Sequence, residues 1–283
     1  MIIRILILNA GLLKFPGGFE AAPQVEARAK ALGSEIRSMN ADIVLLQEIY
    51  KRRHCERLCA ELRDLYPSAA YDRHRLFGFP NTLVTLARYE MSASLKLFRS
   101  APAHEKLFDR KGALLCRFNL GSSTHLAVLN IHTTAGGPFL HPESPLVERI
   151  RAQQICEIIR ITEAEEGIVI VAGDLNAGPD TSRQNFQSML DANFVSVHDW
   201  VHPHASDPTW DPSNRLNANG PHRICPPQRI DHVFVQRSDI ERGCLRPLKS
   251  YVCLKEEGVI GRDGLMCSVS DHFGLSVELE ITE

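Results

Sequence analysis

Nothing in this chain resembles a membrane span, because no stretch approaches the ~20 uninterrupted apolar residues that a crossing helix requires. The apolar opening Met1 to Leu8 is far too short, and no small-residue cleavage site follows it, so it reads as a buried strand rather than a signal peptide. An excess of one charge is also missing. Lys+Arg total 32 against Asp+Glu 34, a formal net charge of −2, so the basic footprint of a polyanion-binding surface is absent. The eight cysteines form no CxxC pair and no repeated spacing, and no Cys/His grouping has the spacing of a closed zinc site. Free, buried thiols are therefore expected rather than disulfides. Internal repeats and low-complexity linkers are lacking, and composition excludes disorder, collagen-like repeats and coiled coil. A soluble, cytoplasmic protein with no obligate protein partner is the expectation.

What is present is a core. With 283 residues and 44% of them apolar, the chain is long enough for one large globular domain over residues 1–283. Ile2 to Leu8 reads as a strand, Gln24 to Met39 as a helix with Val25, Ala29, Leu32 and Ile36 on one face, and Ala41 to Leu46 as a second strand. Cys55 to Leu65 predicts another helix, which makes Cys55 and Cys59 neighbours on one face rather than a metal pair. Asn81 to Ala87, Ala113 to Asn119 and His125 to Ile131 read as strands bounded by turn residues. A helix over Leu146 to Thr162 leads into the buried strand Ile168 to Ala172, and Phe186 to Leu190 suggests one more helix. Arg229 to Gln236, Cys244 to Val252 and Phe273 to Ile281 are strand-rich, whereas His202 to Pro227 reads as a long functional loop. This order suits two sheets packed face to face with helices outside.

The distinguishing feature is the polar residue types that close the apolar strands. Asn9 ends the first, Glu48 follows the second, and Asn130 and His132 close a third. Asp174 and Asn176 follow Ile168 to Gly173, Asp231 follows Arg229-Ile230, and Asp271-His272 precedes the last strand. Each alone has an ordinary explanation as a strand cap or an Asx-type turn. Their joint occurrence is what points to one site, because strand ends sharing an edge would bring carboxylates, carboxamides and imidazoles together.

The stretches Leu8-Asn9, Leu46-Gln47-Glu48, Asn130-Ile131-His132, Gly173-Asp174-Leu175-Asn176, Arg229-Ile230-Asp231-His232 and Ser270-Asp271-His272 resemble the metal-dependent endonuclease/exonuclease/phosphatase superfamily. The resemblance implies a DNase I-like four-layer α/β/β/α sandwich, two mixed sheets flanked by helices, and a phosphodiester hydrolase. It implies Mg²⁺, with Mn²⁺ as a substitute, held by Glu48 with Asn9 and Asp271. An oxygen-rich set suits such a hard cation. By the same resemblance Asp174 orients or deprotonates the attacking water, Asn176 steadies the phosphate or nucleophile, and His272, oriented by Asp231, stabilises the transition state. His132 would donate to the phosphate or to a leaving oxygen.

The His of Asn130-Ile131-His132, the Lys111-Gly112 element and the Arg151 to Gln154 spacing resemble the neutral sphingomyelinase-like branch. That branch implies a phospholipid substrate at a membrane surface, with Lys111, Asn130 and Trp210 as candidate substrate contacts. For Lys111 a solvated turn lysine is the competing reading, and for Trp210 an anchor for its loop. Two loops, Leu76 to Pro80 with Phe77 and Phe79, and Gly136 to Leu140 with Phe139, could touch lipid or simply pack. A DNA or RNA nuclease and a phosphoinositide-type phosphatase are the alternatives. A non-catalytic binding protein is disfavoured, because every expected catalytic position carries a competent side chain.

Overall fold

In the computed structural model the described residues are all except 16, 73–80, 121–124, 138–139, 221 and 283. The first sheet contains β1 (Ile2–Asn9), β2 (Ile43–Gln47), β3 (Ser68–Tyr71) and β4 (Val84–Ala87). The second begins with β5 (Met91–Leu97), β6 (Gly112–Asn119), β7 (His125–His132) and β8 (Ile168–Asp174), and continues with β9 (Phe194–Ser196) and β10 (Asp231–Gln236). β11 (Leu245–Cys253) and β14 (Gly274–Ile281) return to the first sheet, and β12 (Val259–Ile260) with β13 (Met266–Cys267) makes a separate hairpin. The sheets run β11-β14-β1-β2-β4-β3 and β5-β6-β7-β8-β10-β9.

Each sheet has one parallel pair, β1 with β2 and β7 with β8, and antiparallel neighbours elsewhere. A parallel pair needs a crossover, supplied by α1 (Val25–Met39) in the first sheet and α4 (Pro145–Glu163) in the second. Alternation along β1 sends Ile3, Ile5 and Ile7 to the core between the sheets, while Leu6 and Leu8 face the outer layer with Ala29, Leu32 and Ile36 of α1. α2 (Arg52–Glu61) adds Cys55 and Leu58 to that layer. On the far side, Leu129, Val169 and Val171 pack against Ile155 and Ile158 of α4 and Phe186 and Met189 of α5 (Arg183–Asp191). Strands covered on both faces explain why their sequences are continuous apolar runs. The result is two mixed sheets with flanking helices, as the sequence implies.

Short elements complete the chain: α3 (Ala103–Phe108), α6 (Val197–Val201) and α7 (Arg237–Glu241). The stretch 202–227 is largely irregular as expected, with a short 3-10 turn at Arg215–Asn217. All eight cysteines are free, but only Cys55, Cys116 and Cys267 are buried and Cys156 is exposed, because most of the others lie towards element ends. No helix among the described residues is long and apolar enough to cross a membrane.

Candidate active site

Strand register builds the site. His132, Asp174 and Asp231 are direct neighbours across β7, β8 and β10, because His132 pairs with Asp174 and Asp174 with Asp231. Across the other sheet Asn9 pairs with Gln47, which places Glu48 immediately past the end of β2. The parallel strands of both crossover units thus deliver polar groups from their C-terminal ends to one edge of the sandwich.

The two sheets meet there through side chains. Asn9 Nδ2 donates to Asp174 Oδ2 at 2.9 Å, and Asp174 Oδ1 accepts the Asn176 backbone N–H at 2.8 Å. Asn176 Nδ2 donates to the Thr133 carbonyl. His132 Nε2 lies 3.4 Å from Asp174 Oδ2 and 3.7 Å from Glu48 Oε1, and Lys111 Nζ is 2.8 Å from the same nitrogen. His272 Nδ1 lies 2.9 Å from Asp231 Oδ2. The ligand-type atoms of Asp174, Asp231 and His272 all fall within 4.8 Å of one another.

Burial and charge set the protonation states. Burial pushes the Glu48 carboxyl up to about 7, with Lys111 opposing and Asp271 and Asp109 reinforcing the rise. Asp174 is raised to about 6 by burial and by Asp231, while His272, Asn9 and Lys111 pull it back. Burial works against the His272 imidazolium, but Asp231, Asp174 and Asp271 overcome it and lift its pKa to about 10. His132 is driven well below its ordinary value, first by burial and then by Lys111 and His272, so it is neutral. The site therefore holds one imidazole charged and the other uncharged.

Lys111 is not a solvated turn lysine. It is buried and paired with Asp109 at 2.7 Å, and Tyr50 Oη donates to the same Asp109 oxygen. Burial lowers its pKa, yet Asp109, Glu105 and Glu48 together hold the ammonium above its usual value. Asp109, Tyr50 and Glu105 were not foreseen. Asp109 stands two residues from Lys111, but Tyr50 and Glu105 gave no sequence signal, since only tertiary packing brings them in.

Asn130, expected beside the substrate, lies between the sheets with 0% exposure. Its Nδ2 donates to the carbonyls of Leu46 and Val84 in the opposite sheet, and its Oδ1 accepts from Gln47 Nε2 at 2.7 Å. It is placed as a strut rather than on the surface of the site. The Trp210 side chain is buried, and its backbone bridges Gln228 on one side and His272 on the other. From the same loop Asn214 Nδ2 donates to the Ser270 carbonyl and Asn217 Nδ2 to that of Asp271. The loop thus braces the segment that carries Asp271 and His272. Arg151 and Gln154 hold the chain after His132 through Thr134. Phe77, Phe79 and Phe139 lie outside the described residues.

The donor set fits a hard divalent cation. Carboxylate oxygens dominate it, and Asp271 lies near enough to Glu48 for its charge to add to the rise that burial causes in the Glu48 carboxyl, a repulsion that a bound cation relieves. Glu48 is held at φ 57°, a left-handed conformation that costs a non-glycine residue energy and that recurs at functional sites.

Comparison with known proteins gives the same picture. A Drosophila melanogaster protein named as a putative neutral sphingomyelinase is 27% identical over 251 residues, 84% of this chain, and the chain spans only about half (52%) of that relative. Sphingomyelinase C from Streptomyces griseocarneus shares the fold with a TM-score of 0.71 at 17% identity, over 98% of this chain and 99% of that one. A truncated Caenorhabditis elegans TDP2 does so with a TM-score of 0.70, also at 17% identity, over 98% of this chain and 97% of its own. The Endonuclease/Exonuclease/phosphatase family matches residues 16–272. A match of that extent, on a fold and strand-end chemistry of this kind, makes the chain a member of the Endonuclease/Exonuclease/phosphatase family.

Proposed function

We propose that this single-domain chain is a Mg²⁺-dependent phosphodiesterase, with Mn²⁺ as a substitute, and that its substrate is a phospholipid of the sphingomyelin class. The observation that carries the reading is the buried Lys111–His132 pair set between the Glu48 and Asp174 carboxylates. A charged ammonium and a neutral imidazole there suit an anionic phosphodiester, and the fly relative's name supports the lipid class. Glu48 and Asp271 would hold the ion, with Asn9 orienting the set. Mg²⁺ bound there would polarise a phosphoryl oxygen and neutralise charge as it develops.

The remaining steps belong to the chain's own groups. Asp174, with a pKa raised to about 6, is matched to accept a proton from an attacking water near neutral pH, and Asn9 and Asn176 fix its two oxygens in place. His272 is an imidazolium held in one orientation by Asp231, able to stabilise the phosphorane and to protonate the leaving oxygen. Lys111, buried and charged, adds positive potential to the non-bridging oxygens without titrating at neutral pH.

The deciding experiment measures product release from sphingomyelin vesicles, lysophospholipid, nicked DNA and a phosphoinositide, each with Mg²⁺ or EDTA, using wild type and Glu48→Ala. Phosphocholine release that requires both the metal and Glu48 is the expected result. DNA cleavage with the same dependence, without lipid turnover, would replace the lipid reading with a nuclease.

A further inference from the structure

Arg28 lies on the first turn of α1 and has 0% exposure. A guanidinium carries five N–H donors in a rigid fork. All five meet backbone carbonyls: Nε donates to Pro23 at 2.9 Å, Nη1 to Ala10 at 2.9 Å and Val269 at 3.3 Å, and Nη2 to Gly11 at 2.6 Å and Ala22 at 3.1 Å. Among the described residues no carboxylate lies within ion-pair distance of it. Burying a charge without a paired counter-ion is costly, so something else must offset it. The carboxylates that act on this guanidinium through space are Asp271, Glu20 and Glu48, two of them assigned above to the metal.

The carbonyls it gathers belong to the segments carrying that end of the site. Ala10 and Gly11 follow Asn9, and Val269 precedes Ser270 and Asp271. Ser270 Oγ donates to the Asn9 carbonyl at 2.5 Å and also lies 3.1 Å from Asp271 Oδ1. Gly11 packs so close to Asp271 that a Cβ on it would fall 1.7 Å from Oδ1, and its φ of +54° is one that glycine adopts freely. Its N–H donates to Asn9 Oδ1 at 3.1 Å. The position of Asp271 relative to Asn9 is thus set by the backbone that Arg28 clamps from behind.

We propose that Arg28 is a positioning residue for the metal: its five-way clamp holds the Asn9-Ala10-Gly11 and Val269-Ser270-Asp271 segments in register, and its charge balances the carboxylates that face the ion. The inference rests on the metal-dependent reading above. Lysine keeps the charge but lacks the planar fork, so it cannot hold the five carbonyls together. Outer-shell partners of metal ligands typically change affinity by ~10–100-fold when replaced.

The test is a Mn²⁺ titration of the full chain followed by EPR, in wild type, Glu48→Ala, Arg28→Lys and Gly11→Ala, beside the Mg²⁺ activation curve on an aryl phosphodiester. Arg28→Lys should weaken Mn²⁺ binding about tenfold or more and raise the Mg²⁺ activation constant in parallel. Its kcat at saturating metal should stay within about threefold of wild type, a split between binding and turnover that a general loss of stability would not give. Gly11→Ala displaces Asp271 with Arg28 intact and should weaken binding similarly, which tests the placement of Asp271, and Arg28→Gln, which removes most of the fork, takes the place of Arg28→Lys if the lysine variant does not fold. Unchanged Mn²⁺ affinity in the folded Arg28 variant, while Glu48→Ala loses the ion, would overturn the role of Arg28 alone. Absence of any Glu48-dependent Mn²⁺ binding in wild type would overturn the metal reading itself.

Discussion

The two crossover units of the sandwich are built alike and tied down differently. In each, a helix joins two parallel strands whose C-terminal ends feed the site, and a buried arginine on that helix gathers the loop that follows the first strand. Arg151 on α4 donates to the carbonyls of Thr134 and Pro142 and to Ser182 Oγ, and is also paired with Glu148 at 2.9 Å. Arg28 on α1 has carbonyls alone. One clamp is electrically balanced within itself and the other is not. The unbalanced one stands behind Asn9, Glu48 and Asp271, and the balanced one beside His132 and Asp174. In the function proposed above, the first half supplies the cation ligands Glu48 and Asp271 and the second the water-activating Asp174, with His272 and Asp231 paired across the seam.

The most severe way to break this division is to strike each half at its carboxylate. Asp174→Asn, nearly isosteric, should lower kcat by about 10³–10⁴-fold with little change in the Mg²⁺ activation constant, whereas Glu48→Gln should raise that constant first. Steady-state rates on an aryl phosphodiester over a Mg²⁺ series read the split, and identical behaviour of the two variants would abolish it. Next in size is the bond between the halves. Asn130→Leu leaves the carbonyls of Leu46 and Val84 and the Gln47 amide without their partner, a cost of about 2–4 kcal/mol in denaturant unfolding.

Arg151→Lys sharpens the comparison more gently. The charge stays paired with Glu148, so stability should fall by about 1–2 kcal/mol while Mn²⁺ affinity stays within about twofold of wild type. A pH-dependent effect, small at neutral pH, concerns His232, which donates through Nε2 to the Ala177 carbonyl and packs at a tilt against Phe186 and Phe234. Burial, with Arg229 adding to it, lowers its pKa to about 3. The unfolded chain therefore takes up a proton near pH ~6.5 that the folded chain refuses, and stability present above that pH is lost as the pH falls towards 3. His232→Phe should flatten this acid slope by at most ~1.4 kcal/mol per pH unit, read from thermal unfolding between pH 7 and 4.

Much of the fold was legible because strands buried on both faces announce themselves as apolar runs, as at Ile2 to Leu8 and Ile168 to Ala172. The strand-end polar residues were legible for the same reason, being abrupt breaks in those runs. The short pieces were not. β3 and β9 are four and three residues long, too brief for periodicity, and β5 alternates but its apolar positions are half-buried or, at Ala93, exposed at a sheet edge. The partners of Lys111 were hidden because Tyr50, just past the end of β2, is distant in sequence from Asp109 and meets it only through tertiary packing. Asn130 looked like a site residue by its neighbours in sequence, yet alternation along β7 turns it inward, towards the opposite sheet, where only packing could reveal its bonds.

That inward-facing amide has a mechanical meaning. Two stacked sheets are joined mainly by non-directional apolar contact, which resists separation well but sliding poorly. A hydrogen-bonded carboxamide spanning the gap behaves like a dowel, and it sits two residues from His132 and one bond away from Gln47, the neighbour of Glu48. The distance between the two halves of the site is thus pinned locally, so substitutions that loosen the far end of the sandwich should cost stability long before they cost alignment of the reacting groups.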